Sequence, residues 1–131
     1  HDAVRPCLNS DDIDQLVEHA RANGSGALLA MPVRDTMKRV YNGQVTATVS
    51  REGLWHALTP QLFPVRALHD ALLAARASGV TVTDEAQAME LAGFVPDVVH
   101  GRADHIKITR AQDLELAALF LARRDMGVGP K

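Results

Sequence analysis

Apolar and polar positions follow two different rhythms along this chain, and each change of rhythm marks an element. Ile13, Leu16, Val17 and Ala20 recur at the three-and-four spacing of one helical face, and Gly24-Ser25-Gly26 ends the run. Ser10 reads as the start of that helix, with Asp11 and Asp12 at the positive end of its dipole. Ala27 to Val33 is then nearly continuous in apolar residues, the signature of a strand covered on both faces. From Arg34 to Ser50 the polarity is mixed, with an Asn42-Gly43 turn signal and the β-prone run Val45 to Val49. This segment predicts a β-hairpin projecting from the body. A lone two-stranded hairpin is marginal in water, so a second subunit is its expected support.

Leu54 to Leu58 reads as extended, and Thr59-Pro60-Gln61 as a conformationally restricted loop. Pro64 opens a helix with Val65, Leu68, Leu72 and Ala75 on one face, closed by Gly79. Thr83 is the expected cap of the next helix, with Asp84 and Glu85 in its first turn and Gly93 beyond its end. Val95 to Val99 predicts a strand, with Pro96 at its start or edge. Thr109-x-x-Gln112 has the form of a capping box ahead of Leu114, Ala117, Ala118 and Leu121. Residues 126–131 predict a disordered tail. Helices and strands alternate, so the expected class is α/β. The residues from His1 read as the end of a strand, and the chain is expected to be a fragment lacking its front.

Composition adds mainly exclusions. The chain has 131 residues, 47% hydrophobic and 23% charged, which suits one globular domain. A net charge of −2 gives no electrostatic case for nucleic acid or an anionic membrane. No apolar stretch is long enough to span a bilayer, and no signal-peptide pattern occurs. The single cysteine, Cys7, rules out an internal disulfide and suits a reducing cytoplasm; it reads as a small packed hydrophobe, not a nucleophile. The six histidines show no H-E-x-x-H or Cys/His ligand spacing, and no Walker loop, dinucleotide fingerprint or nucleophile elbow is present.

Polar residues gather at four places where strands or turns end, where ligands of α/β sheets bind. At His1 to Pro6, Asp2 can hold a divalent ion or a sugar hydroxyl, and Arg5 a phosphate. Arg34 to Arg39, with Arg51 beyond the hairpin, carries cations and the hydroxyl of Thr36. Thr59 belongs to the third place. At the fourth, Gly101 to Thr109, Lys107 stands just before a helix N-terminus, a setting that favours anions. Taken singly, each reads first as a solvated turn or hairpin face. Together they describe an α/β domain suited to an anionic ligand.

Five stretches, in order, carry a more specific resemblance: HDAVRPCL, GALLAMPVRDTMKR, TVSREGLWHALTPQLF, the TDEA of Thr83 to Ala86, and VHGRADHIKITRAQDLELA. From His1 to about Ala122 the chain resembles the C-terminal half of the 2-C-methyl-D-erythritol 4-phosphate cytidylyltransferases. The resemblance implies a Rossmann-like nucleotidyltransferase fold and a cytoplasmic homodimer embracing through the hairpin arm, residues 34–51. It implies Mg²⁺-dependent transfer of CMP from CTP to methylerythritol phosphate, with release of pyrophosphate, in non-mevalonate isoprenoid synthesis. The CTP-binding Gly-rich loop of the family has no match in this chain, which alone is therefore expected to be inactive.

The same resemblance implies roles for particular residues. Asp2 and Arg5 match groups that contact the methylerythritol, and Asp2 also lies near the metal–triphosphate region. Thr36 matches a substrate-contacting threonine at the base of the arm, and Thr59 a hydroxyl of the same pocket. Arg51, donated across the dimer, and Lys107 match the cations that position the substrate phosphate. Two positions depart from the family pattern: His105 stands in place of an Asn, and Ser50 in place of an Asp. A ribitol 5-phosphate cytidylyltransferase is the neighbouring reading, and a non-catalytic dimerisation or sugar-phosphate-binding module the reading from another class.

Overall fold

The apolar run predicted as a doubly covered strand is the centre of the sheet. It forms strand β1 (Ala27–Pro32), whose first four residues are buried. A computed structural model describes residues 1–125 of the chain. In chain order its elements are helix α1 (Ser10–Asn23), β1, strands β2 (Met37–Tyr41), β3 (Gln44–Val49) and β4 (Trp55–Leu62), helices α2 (Val65–Ala77) and α3 (Glu85–Leu91), strand β5 (Asp97–His100) and helix α4 (Ala111–Asp125). The main sheet has the order β4-β1-β5, with β4 antiparallel and β5 parallel to β1. A middle strand with both faces covered needs apolar residues at every position, which is why the run does not alternate.

Two clusters make the core. Leu16 of α1, 1% exposed, packs with Ala27, Leu29, Leu58 and Val99 on one face of the sheet. Ala71, Ala88 and Met89 join α2 to α3, with Phe63, Leu68 and Phe94 against them. Helix α4 covers the start of the chain: Ala117 and Cys7 are buried, and the Cys7 Sγ lies 3.9 Å from the Ala117 carbonyl oxygen. Burial pushes the Cys7 thiol up from its ordinary value, away from the thiolate a nucleophile needs.

Several elements differ from their sequence expectation, each for a local reason. The opening residues form turns, closed by Arg5 N–H donating to the Asp2 carbonyl at 3.1 Å, and not a strand end. Helix α1 is capped by Asn9, not Ser10: the Asn9 side chain accepts from Asp12 N at 2.8 Å, and the buried Asp12 carboxylate accepts from Asn9 N in return. Asp84 caps α3, while Thr83 donates to the Gln87 side chain. Ahead of α4 the acceptor is Asp113, not Gln112; it receives Thr109 N, Thr109 Oγ1 and Arg110 N. Those bonds, the Thr109 backbone N–H first, hold the Asp113 carboxyl below its ordinary value. The stretch Thr59-Pro60-Gln61, expected as a loop, lies inside β4, because pairing with β1 resumes at Leu28↔Gln61 after an irregularity. Strand β5 begins two residues later than predicted.

On α2 the buried stripe runs through Ala71 and Ala75, while Val65 is 85% and Leu72 38% exposed. Helix α3 packs on this face, where small side chains permit close approach. On α4, Leu114 is likewise exposed and Ala117 buried.

The hairpin forms as the sequence predicts. Strands β2 and β3 pair antiparallel across Asn42-Gly43, whose φ values of 48° and 77° are the two positive angles of a type I′ turn. They form a two-stranded sheet separate from the main one, and Val40, Tyr41 and Val45 stand exposed on it. The predicted tail at 126–131 lies outside the described residues.

Gly26 enters β1 with φ at +93°, and a Cβ there would overlap the Phe63 ring and lie 2.6 Å from the Leu62 carbonyl oxygen. Gly26→Ala therefore combines a disfavoured backbone with overpacking and should cost about 2–4 kcal/mol in urea denaturation. A cost below about 1 kcal/mol would mean that the β1–β4 junction is looser than described.

Candidate functional site

Residues from opposite ends of the chain meet above the sheet because their backbones are stitched together. Ile108 N–H donates to the Val4 carbonyl at 2.8 Å, and Arg5 Nη1 donates to the His105 carbonyl at 3.0 Å. This lays the segment 102–109 beside the opening turns and brings Lys107 to Asp2, with Nζ 3.3 Å from Oδ2. Arg5 Nε approaches the same carboxylate oxygen at 3.5 Å, an ion-pair contact without hydrogen-bond geometry. Asp2 N–H donates to Thr59 Oγ1 at 2.9 Å, which ties the cluster to β4; the Thr59–Pro60 bond is cis. Thr59 Oγ1 also lies 3.1 Å from His1 Nδ1.

Two cations thus share one carboxylate, leaving a surplus positive charge in this cluster, at one end of the site. The Arg5 side chain is 11% exposed and that of Lys107 49%, so Lys107 is the cation that an incoming anion reaches. A half-exposed ion pair is worth about 0–1 kcal/mol, so Lys107 can exchange Asp2 for a ligand phosphate at little cost.

The cluster opens on a cleft of about 490 Å³, within the range of roughly 300–1,000 Å³ usual for small-molecule sites. Asp2, Arg5 and Lys107 line one side and Ala57, Leu58, Thr59 and Gln61 of β4 the floor. Val82, Thr83, Asp84 and Glu85, at the N-terminal end of α3, form the other side. Of the residues expected to contact substrate, the structure brings together Asp2, Arg5, Thr59 and Lys107. Thr36 and Arg51 are exposed and do not line the cleft. Neighbouring Lys38 is engaged across the hairpin with Thr48 Oγ1 at 2.7 Å.

At Asp2, the residue expected near the metal–triphosphate region, the carboxylate is engaged with cations of its own chain. Its Oδ2 already faces two cations, and no group of three or more His, Cys, Asp or Glu is placed to hold a metal among the described residues. The Asp84 carboxylate, across the cleft, is committed to Gln61 and to capping Gln87. The wall formed by Val82 to Glu85 went unrecognised in the sequence as part of a site. The capping pattern after Thr83 marks a helix N-terminus and carries no sign of the cleft beside it.

His105 is the buried member of the group, 2% exposed, with both ring nitrogens lacking a partner. Burial is the first cause holding its pKa below the ordinary value; Arg5 and Arg102 act in the same direction, and Asp12 and Asp104 against it. Arg102 and Asp104 form an ion pair beside it.

Comparison with known proteins gives the family. The profile described as IspD, 2-C-methyl-D-erythritol 4-phosphate cytidylyltransferase, matches residues 1–123. The protein of that name from Shewanella pealeana is 59% identical over 122 residues, covering 92% of this chain and 53% of the relative. That from Escherichia coli is 54% identical over 125 residues, covering 94% and 53%. Among solved structures, a 4-diphosphocytidyl-2C-methyl-D-erythritol synthase superposes with a TM-score of 0.83 at 45% identity, covering 92% of this chain and 54% of the other. The Francisella tularensis cytidylyltransferase gives 0.86 at 37%, covering 92% and 57%. The α/β arrangement is thus the Rossmann-like nucleotidyltransferase fold that the resemblance implied. The chain spans about half the length of the curated relatives it matches. These matches give a share of the length and do not bear out the narrower expectation that the share is the C-terminal half.

The low pKa of His105 fixes a sign. A histidine held neutral in the fold but free to protonate when unfolded contributes nothing above its unfolded pKa of about 6.5 and destabilises as pH falls below it. Urea denaturation at pH 7.5 and 5.5 should show a larger loss for the parent than for His105→Asn. Equal losses would mean that the ring charges freely in the fold.

Proposed function

The chain belongs to the 2-C-methyl-D-erythritol 4-phosphate cytidylyltransferase family, and on that premise we propose that it supplies the sugar-phosphate side of the reaction that joins CMP from CTP to methylerythritol phosphate. The observation that carries this reading is the cluster of Lys107, Asp2 and Arg5 beside Thr59, an anion-receiving group at the mouth of a cleft of suitable size. No Gly-rich nucleotide loop is recognised in this chain, and the chain alone is accordingly proposed to be inactive.

In the proposed reaction an oxygen of the substrate phosphate attacks the α-phosphorus of CTP. The bond from that phosphorus to the bridging oxygen breaks, and pyrophosphate leaves. The attacker is already an anion, so no general base is needed. The protein's task is to hold two mutually repelling anions in line, by position and charge. Lys107 leaves Asp2 for the substrate phosphate. Asp2 and Arg5, fixed by Thr59 and the His105 carbonyl, orient the sugar, and the Thr59 hydroxyl contributes a hydrogen bond. Mg²⁺ belongs to this proposal as a companion of the triphosphate, supplying charge neutralisation; none of this chain's residues is assigned to it.

Arg51 and Thr36 enter the reading through a second copy. Both sit at the ends of the hairpin, away from the cleft of their own chain, and the arm exposes Tyr41 at 70%, Val45 at 63% and Val40 at 55%. An arm with an apolar surface is suited to lie on a partner and deliver Arg51 to the partner's phosphate. The setting is cytoplasmic, in keeping with the lone thiol; among the described residues no helix is long and apolar enough to cross a membrane.

The test is CTP-dependent pyrophosphate release by the full-length protein with methylerythritol phosphate and, in parallel, ribitol 5-phosphate. Lys107→Ala and Arg51→Ala should each lower kcat/KM by about tenfold or more, because a hydrogen bond to a charged group is worth about 1.5–3 kcal/mol. Turnover indifferent to both changes, or preference for the ribitol ester, overturns the reading.

Sedimentation velocity tests the arm. Tyr41→Asp with Val45→Asp should convert a dimer to a monomer and reduce turnover as Arg51→Ala does. A dimer that persists unchanged would assign the arm another role.

A further inference from the structure

Gln61 sits on the floor of the cleft at the seam between its two sides, and its amide is fully engaged. Its Nε2 donates to Asp84 Oδ2 at 2.9 Å and to the Leu58 carbonyl at 3.5 Å, while its Oε1 accepts from Ala86 N–H at 2.9 Å. Asp84 is fixed from the other direction, with Oδ1 capping α3 through Gln87 N–H at 2.9 Å. Ala86, Ala88 and Met89 anchor α3 through apolar burial. The polar link from the end of α3 to the sheet is Gln61. Two residues earlier on the same strand, Thr59 holds Asp2 and, through it, Lys107. One short piece of β4 therefore ties down both sides of the cleft.

The two sides differ in chemistry. Lys107 and Arg5 offer positive charge, while Thr83 and Glu85 offer acceptors suited to hydroxyl groups. The Asp84 carboxylate is spent on its structural bonds. A molecule with a phosphate at one end and hydroxyls along its length spans such a cleft only if the separation of the sides matches its length.

We propose that Gln61 is a positioning residue for the reaction: by tying the Thr83–Glu85 side to β4, it sets the span between hydroxyl-accepting and phosphate-binding groups, and so the length of polyol phosphate the cleft takes. The inference rests on the functional reading above and deepens it. Gln61 touches no reacting atom; it acts through the position of Thr83 and Glu85.

Gln61→Glu tests this in the full-length protein. It keeps the size of the side chain and the acceptor for Ala86, but sets a carboxylate against that of Asp84 and drives the α3 end away. The KM for the polyol phosphate should rise about tenfold, with kcat and the KM for CTP changed less than about twofold. Adding Asp84→Asn restores one donor and one acceptor across the gap, and the new amide still accepts from Gln87. The double variant should bring the polyol-phosphate KM back to within about threefold of the parent. Should Gln61→Glu not fold, Gln61→Asn, shorter by one methylene, must show the same selective rise. Equal changes in both KM values, an unchanged polyol-phosphate KM, or no rescue by the second substitution would overturn the inference. An active parent with such variants sinks this inference alone; a parent inert toward CTP and methylerythritol phosphate sinks the functional reading, and this inference with it.

Discussion

One carboxylate shared between two cations is the interaction on which the rest of the site depends. Asp2 meets Lys107 and Arg5 only because the opening turns and the segment before α4 run side by side, joined by the Ile108–Val4 and Arg5–His105 hydrogen bonds. That alignment in turn needs a fixed support, which the buried centre strand β1 and its neighbour β4 provide. The apolar core reaches the cleft through Leu58 and Val82 but carries none of its charged groups. It removes the freedom that would let two long cationic side chains scatter, which is how a surface cluster of modest energy becomes a defined site.

The cleft is built by two halves of different chemistry attached to one strand. On one side the fixing atoms are backbone groups and the Thr59 hydroxyl; on the other they are the Gln61 amide and the Asp84 cap. Strand β4 can serve both because its pairing with β1 passes through an irregularity between Leu28 and Ala30 and then resumes. This allows Thr59 and Gln61, two residues apart, to face tasks on opposite sides of the opening.

The sequence made the strand at Ala27, the Asn42-Gly43 hairpin and the presence of α1 to α4 legible, because each is written in local pattern. It did not reveal which polar residue caps a helix when several compete: Asn9 displaces Ser10, Asp84 displaces Thr83 and Asp113 displaces Gln112. The oxygen that caps lies 2.8–2.9 Å from its backbone N–H in each case, a placement set by the three-dimensional course of the turn. Of the residues expected on the buried faces of α2 and α4, Leu72 and Leu114 stand exposed, while small residues are buried, Ala71 against α3 and Ala117 beside Cys7. Of the expected site residues, Asp2, Arg5, Thr59 and Lys107 converge within one chain. The side formed by Val82 to Glu85 was invisible, because nothing local in sequence tells a capping turn that a cleft lies across from it.

Cys7 lies beneath α4 with its sulfur against the Ala117 carbonyl, and Arg124 from the same helix donates to the Leu8 carbonyl at 2.9 Å. The only thiol of the chain is therefore roofed by its last described helix. Alkylating reagents and oxidants can reach it only when that roof lifts, so the molecule carries its own reporter of how often this helix leaves the body, and it resists peroxide for as long as the helix stays docked.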